Sequence, residues 1–444
     1  MITHRAAILI GLSLVLFAAI GHPAAAERET TWVTAFNREF VNWAEPHVTT
    51  FAFPPADLYS AVYCRITIGC PVAPGDCDPW DRFANLKVRD YAEDSTYVEY
   101  EIARFITPYD ITYAGGPYAC SWIVDVTDYQ TLLHDGVTLV LFIDSWIGGN
   151  KGWLITTDFE MIHGIPERVP FAVSRLWSYG YIVYGDPDNP PENYLTPVAV
   201  DVPADAVWTK FRAFSTGHGF LNTDNAAEFS NKWQAIHVDD NVASHNLWRP
   251  DCEHNPCSPQ QGTWQYDRAG WCPGDKADAW DVDVTGWVTP GNSSSFVFAL
   301  QPYVNWCRPS NPDCVNSSSC ECAGDAYYRF EGQVVFYREP DPAAVPESHA
   351  APATLRLLRN VPSPANPGTS IGYELSEPGE VAISIFDVTG ALVRTVRQQH
   401  AGAGFFSWTW DGRGETGRQL AAGVYLCELR HGEERATTRL LMVR

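Results

Sequence analysis

Apolar and polar side chains alternate along most of this chain with a period of two. The clearest runs are TYVEYEIARFIT (Thr96 to Thr107), VTLVLFIDSW (Val137 to Trp146), SSFVFALQPYV (Ser294 to Val304) and YYRFEGQVVFYRE (Tyr327 to Glu339). Successive side chains of a strand point to opposite faces, so this pattern predicts β-strands, and helical periodicity is scarce. Gly, Pro, Asn and Asp punctuate the runs, as turn chemistry requires. Many short strands with rich turn signals predict an all-β chain built from β-sandwiches or jelly rolls.

The pattern lapses in two places. PDPAAVPESHAAPA (Pro340 to Ala353) has no strand periodicity and reads as a linker between a large region, 27–339, and a small one, 354–444. HGIPERVPF (His163 to Phe171) is a weaker break that divides the large region into 27–165 and 166–339. Beyond the linker, alternating strands return, separated by Asp-Gly and Thr-Gly turns.

The first residues break the pattern differently. Arg5 precedes an apolar run from Ala6 to Ile20, followed by the small-residue site Ala24-Ala25-Ala26. This is the layout of a secretory signal peptide with a mature start near Glu27; the run is short for a membrane span, and a retained anchor is the rival reading. No later segment is long and apolar enough to span a bilayer, so a secreted or cell-surface protein without membrane insertion is expected. Export permits disulfides, and the chain has 12 cysteines. Zinc is the competing use, but Cys320-Glu321-Cys322 lacks the usual two-residue gap and no His pair follows. No metal and no cofactor are expected. A net charge of -23 without any basic cluster argues against nucleic acid and anionic membranes as partners. Aromatic residues reach 13%, with 17 Trp and 20 Tyr, which suits either sugar-stacking platforms or large core residues.

Charge and aromaticity meet in CDPWDRFANL (Cys77 to Leu86), where Asp81 and Arg82 follow a tryptophan. Taken alone, the two form an ion pair sealing a strand end, or Asp81 is held for chemistry. Together with YEIARFITPY (Tyr100 to Tyr109), DVTDYQTLL (Asp125 to Leu133) and YDRAGWCPG (Tyr266 to Gly274), in this order, the stretch resembles the peptide-N-glycosidase F family over most of residues 30–339. The resemblance implies two adjacent eight-stranded jelly-roll sandwiches. It also implies an amidase that cuts between the asparagine side chain and an N-linked glycan, with N-glycosylated proteins and glycopeptides, recognised at the chitobiose core, as partners. Residue by residue, it implies Asp81 as principal catalytic carboxylate, Glu228 as the second and Arg268 as the site arginine. It further implies Arg82, Asp144, Trp146, His218 and Trp271 as substrate-binding residues, and Cys70–Cys77 and Cys252–Cys272 as disulfides. Asp144 stands where the family has a glutamate, Phe229 where it has a tryptophan, and Ser230 where it has a cysteine. If the local alignment slips at Glu228, Asp224 is the nearest substitute. Cys64–Cys120 is the expected pairing between neighbouring strands. Trp410-Asp411-Gly412 and Ala422-Gly423-Val424-Tyr425 resemble the Ig-like domain of flagellar hook-capping proteins, which implies spacing, or contact with the cell surface or secretion machinery.

Hydrolysing a secondary amide needs an activated water, stabilisation of the carbonyl oxygen and a proton for the departing nitrogen. Two carboxylates and a guanidinium from separate halves of the chain supply these types, which places the site in the cleft between them. Which carboxylate is base and which acid is open at this level; the resemblance favours Asp81 as base. Two other functions compete: a sugar-binding jelly roll without hydrolysis, and a copper monooxygenase on paired sandwiches. The latter lacks a His-x-His pair and has only 3 Met to draw on.

Overall fold

The computed structural model describes residues 30–443 apart from 72–76, 113–114, 116–117, 342–354, 358–359, 361–364, 366–367, 401, 403 and 433. The expected signal peptide and almost all of the expected linker lie outside the described residues. Among these, the helical pieces are short 3-10 turns and the rest of the regular structure is strand.

In the first sandwich, Thr30–Thr34, Trp153–His163, Tyr59–Gly69 and Ala119–Asp125 make one sheet, joined at Trp153–His163 by the short strand Glu39–Val41; His47–Ala52, Gly136–Ile143, Phe83–Tyr91 and Tyr97–Ile106 make the other. In the second sandwich, Val169–Val183, Tyr327–Arg338, Trp208–His218 and Trp280–Asp283 face Val198–Asp201, Ser293–Leu300, Lys232–Val238 and Asn241–Leu247. Numbered along the chain without Glu39–Val41, the strands of each sandwich run in the order 1-8-3-6 and 2-7-4-5, which is the jelly-roll order. Each sandwich closes on its own buried apolar cluster.

Strand periodicity sets which residues reach the other sandwich. Along Phe83–Tyr91, Ala84, Leu86 and Val88 enter the first core, while Phe83, Asn85 and Lys87 face outward to the second sandwich. Along Tyr97–Ile106 and Tyr327–Arg338, polar residues point across this junction and pair there. Arg104 Nη1 donates to the Arg329 carbonyl at 2.7 Å, the Glu101 amide to Glu331 Oε1 at 2.7 Å, and the Tyr129 hydroxyl to Gln333 Oε1 at 2.7 Å. Buried polar groups cost about 1–3 kcal/mol each when unpaired, so this reciprocal pairing holds the sandwiches in one register. Asp275–Lys276, from the second half, pairs with Ile106 and Phe105 and extends the first sandwich's sheet.

The cysteines form Cys70–Cys77, Cys252–Cys272, Cys120–Cys257, Cys307–Cys320 and Cys314–Cys322. Cys120 therefore joins the sandwiches rather than pairing with Cys64, which is a buried free thiol. The reason is register: Cys64 lies opposite Val124, whereas Cys120 lies opposite Ile68. Four residues of strand separate them by roughly 13 Å, beyond disulfide reach.

The C-terminal region forms a smaller sandwich with its own core. It docks directly on the first. Gly404–Trp410 lies parallel to Thr30–Thr34 through Val33 and Phe405, so its sheet continues the first sandwich's sheet. Phe405 is buried in the first sandwich's core.

Candidate active site

Asp81 sits in the turn that leads into Phe83–Tyr91. The neighbouring acid Asp78 organises this turn: fully buried, it accepts from the Trp80 amide at 3.1 Å, Ser145 Oγ at 2.7 Å and Arg82 Nε at 2.9 Å. The ion pair at the strand end thus exists, but Arg82 makes it with Asp78. Asp81 is left beside the Tyr109 hydroxyl, which favours its charged form. Burial is the dominant influence on Asp81 and pushes its carboxyl up to about 6, against the opposing pull of the Arg268 charge.

Glu228 comes from the second sandwich, in the loop between Trp208–His218 and Lys232–Val238. Its Oε2 accepts the Gly219 amide at 3.2 Å and its Oε1 accepts Arg268 Nε at 3.3 Å. Gly219 has φ +99°, and a Cβ there would lie 2.0 Å from the Asp325 carbonyl oxygen, so only glycine gives this turn. Burial pushes Glu228 up to about 7; Arg268 opposes the rise and the Asp81 charge adds to it. Asp224, the fallback for Glu228, is on the surface at 3.4 Å from Lys232 and takes no part.

Arg268 bonds to Glu228 and acts on Asp81 through its charge. Its side chain has 0% exposure. Nη1 donates to the Tyr266 carbonyl at 2.6 Å, and Nη2 lies 3.1 Å from both the Thr263 carbonyl and Thr263 Oγ1. The guanidinium is flanked by the rings of Phe229 at 5.0 Å and Trp271 at 4.9 Å, so Phe229 still supplies an aromatic face at its position.

At one end of this cluster Asp144 Oδ1 accepts Trp146 Nε1 at 2.8 Å, and its Oδ2 is paired with Arg329. Trp146 is 58% exposed and packs edge-on against Trp43 at 5.4 Å. The shorter Asp144 is thus held by a partner from the second sandwich. His218 is buried between Trp271 at 5.3 Å and Tyr327 at 5.2 Å, with Nε2 2.9 Å from Thr216 Oγ1. Burial first, then Arg329 and Arg104, hold its pKa well below the usual value, so it is neutral.

Trp271 departs from the expectation of a sugar-contacting ring. It is 3% exposed, its indole N–H is given to the Gly217 carbonyl at 2.7 Å, and both faces are taken by His218 and Arg268. It is a wall that positions those two residues. The structure thus brings Asp81, Glu228 and Arg268 together, arranges Asp144, Trp146, His218 and Trp271 around them, and turns Arg82 towards Asp78. The disulfide Cys252–Cys272 closes the loop that carries Arg268. Sequence reasoning missed Asp78, although it lies within CDPWDRFANL, and Tyr109, which ends YEIARFITPY. Trp43 and Arg329 carry no local signal at all. Among the described residues the one grouping of three metal-ligand types is Cys314, Cys320 and Cys322, whose sulfurs are in disulfides.

Residues 189–313 match the family model described as peptide-N-glycosidase F, C terminal, and residues 363–432 the FlgD Ig-like domain. The chain is 28% identical over 294 residues to a peptide-N(4)-(N-acetyl-beta-D-glucosaminyl)asparagine amidase F of Elizabethkingia miricola, covering 64% of this chain and 77% of that protein. Its fold matches a solved glycosylasparaginase, PNGase F, from Flavobacterium meningosepticum with a TM-score of 0.58 at 24% identity, over 70% of this chain and 96% of that one. PNGF-II matches with a TM-score of 0.53 at 14% identity, over 70% of this chain and 65% of that one. Over its paired sandwiches this chain is similar to peptide-N-glycosidase F, and the region behind them matches a FlgD-type Ig-like domain.

Proposed function

We propose that the protein is an extracellular amidase that hydrolyses the bond between an asparagine side chain and an N-linked glycan, leaving aspartate and releasing the intact glycan. One observation carries the chemistry: two half-buried carboxylates from different sandwiches, both raised towards neutral pH, lie near one buried guanidinium that bonds to Glu228. Between about pH 6 and 7 the favoured single-proton state keeps Asp81 ionised and Glu228 protonated. Asp81 then takes a proton from water as its oxygen attacks the side-chain carbonyl carbon. Glu228 gives its proton to the amide nitrogen as the carbon–nitrogen bond breaks. The water oxygen stays with the peptide as aspartate, and the nitrogen leaves on the sugar. Positioned acids and bases of this kind contribute on the order of 10²–10⁴-fold each.

Arg268 acts as a positioning residue. Its donors are committed to Glu228, Tyr266 and Thr263, so it works by holding Glu228 and by setting the charge of the pair. Asp144 and the exposed Trp146 form the sugar-binding end, where an indole face suits an apolar sugar face. Substrates are N-glycoproteins and glycopeptides, and no cofactor takes part. Five disulfides support action outside the cell. The Ig-like domain supports attachment or spacing there.

Digestion of a glycopeptide in heavy-oxygen water tests the reading. Labelled aspartate by mass spectrometry, lost in Asp81→Asn, is the expected result. A sugar left on asparagine would mean an endoglycosidase, and an untouched glycopeptide a sugar-binding protein.

A further inference from the structure

Beside the sugar-binding end lies a second cavity of about 270 Å³, at the junction of the sandwiches. It touches that end by two routes. Arg329 lines it and also pairs with Asp144. Pro46 lines it and belongs to the loop whose Trp43 packs on Trp146. Its floor is aromatic, from Phe83 and Phe142.

Polar groups around it are under-used. Asn85 is 6% exposed and lines the cavity, yet its side-chain amide has no hydrogen-bond partner among the described residues. Lys87, on the cavity wall, is ion-paired at 3.8 Å with both Glu99 and Glu331. Arg329 Nε is buried without a partner among the described residues. Buried polar groups are almost always satisfied, and leaving one unpaired costs about 1–3 kcal/mol. The Asn85 amide, facing the cavity without a partner beside the unsatisfied Arg329, marks a place kept for a polar ligand.

We infer that this cavity binds a sugar ring of the glycan's distal part, beyond the sugars held at Trp146. The chemistry selects that class. A sugar ring offers hydroxyls that donate and accept, which an amide answers in both senses, and an apolar face for Phe142. Cations and carboxylates line the walls together, so a neutral polyol fits better than an ion. The inference rests on the amidase reading, because only a substrate anchored by its first sugars at Trp146 delivers later ones here.

Two glycopeptides test it, one carrying only the two core N-acetylglucosamines and one carrying the mannose-branched core. The full chain is expected to prefer the branched substrate in kcat/KM by about tenfold. Asn85→Leu and Lys87→Met should each reduce that ratio at least threefold. Asn85→Leu removes an unpaired buried amide and is expected to fold; Asn85→Ser is the second variant. Equal treatment of both substrates by the wild type, or an equal loss on both in the variants, overturns the inference while leaving the amidase intact. If neither substrate is cleaved, the amidase reading fails first. Calorimetric titration with the free branched oligosaccharide then decides: weaker binding by Asn85→Leu supports the cavity, and unchanged binding overturns it.

Discussion

Asp81 and Glu228 are charged groups in a place that disfavours charge. Their folded-state values, about 6 and about 7, stand above the ordinary 3.8 and 4.5. A raised carboxyl stabilises the fold below its unfolded pKa, and this contribution is lost as pH rises through the folded value. The pair therefore favours the fold near pH 4 and costs stability above pH 7, on the order of 1.4 kcal/mol for each tenfold gain in proton affinity on folding. Asp81→Asn and Glu228→Gln should melt several degrees higher than wild type at pH 8 and level with it at pH 4; a gain independent of pH would refute this linkage. The same pair should give kcat/KM a bell-shaped pH dependence with limbs near 6 and 7. Arg268 opposes the rise of both groups. Arg268→Met should move both limbs to higher pH and lower the maximum on the order of 10²-fold, with Arg268→Lys moving them less. A lower maximum with unmoved limbs would leave Arg268 a merely structural role.

Elements position these groups through turns that tolerate little change. The Gly219 turn delivers one backbone N–H to Glu228 and passes against the Asp325 carbonyl. Gly219→Ala must shift that turn, with an expected loss of about 1–3 kcal/mol in stability and at least tenfold in kcat/KM. Gly286 lies in another turn where an added Cβ meets nothing within 4 Å, so Gly286→Ala is the control and should be near neutral. Equal effects in thermal melts and kinetics would show that the close approach at Gly219 is unimportant. Among the disulfides, Cys252–Cys272 holds the arginine-bearing loop, while Cys120–Cys257 fixes that loop region to the first sandwich.

On the scale of the whole molecule, the site exists only where two sandwiches meet, and the third region is packed onto the first. Residues 341–444 contribute none of the proposed site residues, so a 27–340 protein should keep kcat/KM per folded molecule. Removing Phe405 from the first core and Gly404–Trp410 from the edge of Thr30–Thr34 should nevertheless lower Tm by several degrees. Phe405→Ala in the full chain should reproduce part of the loss. An unchanged Tm in the shortened protein would mean that the docking carries no stability.

The sequence by itself determined the strands, because a period of two names a buried and an open face wherever it runs. The family resemblance that several long stretches carry also pointed to Asp81, Glu228 and Arg268. Tertiary structure alone decided the partners. Arg82 beside Asp81 could pair with it or not; the fold puts Asp78 closer to its guanidinium. Cys120 lies on the strand next to Cys64 yet bonds to Cys257, 137 residues away, because register separates the first two. Trp271 reads like any exposed platform until His218 and Arg268 cover its faces, and Asp144 reads as one methylene short until Arg329 reaches it from the other sandwich. A local pattern encodes the direction of a side chain, not its distance to another strand. Pairing energies fall steeply with distance, so only the packed molecule can assign them.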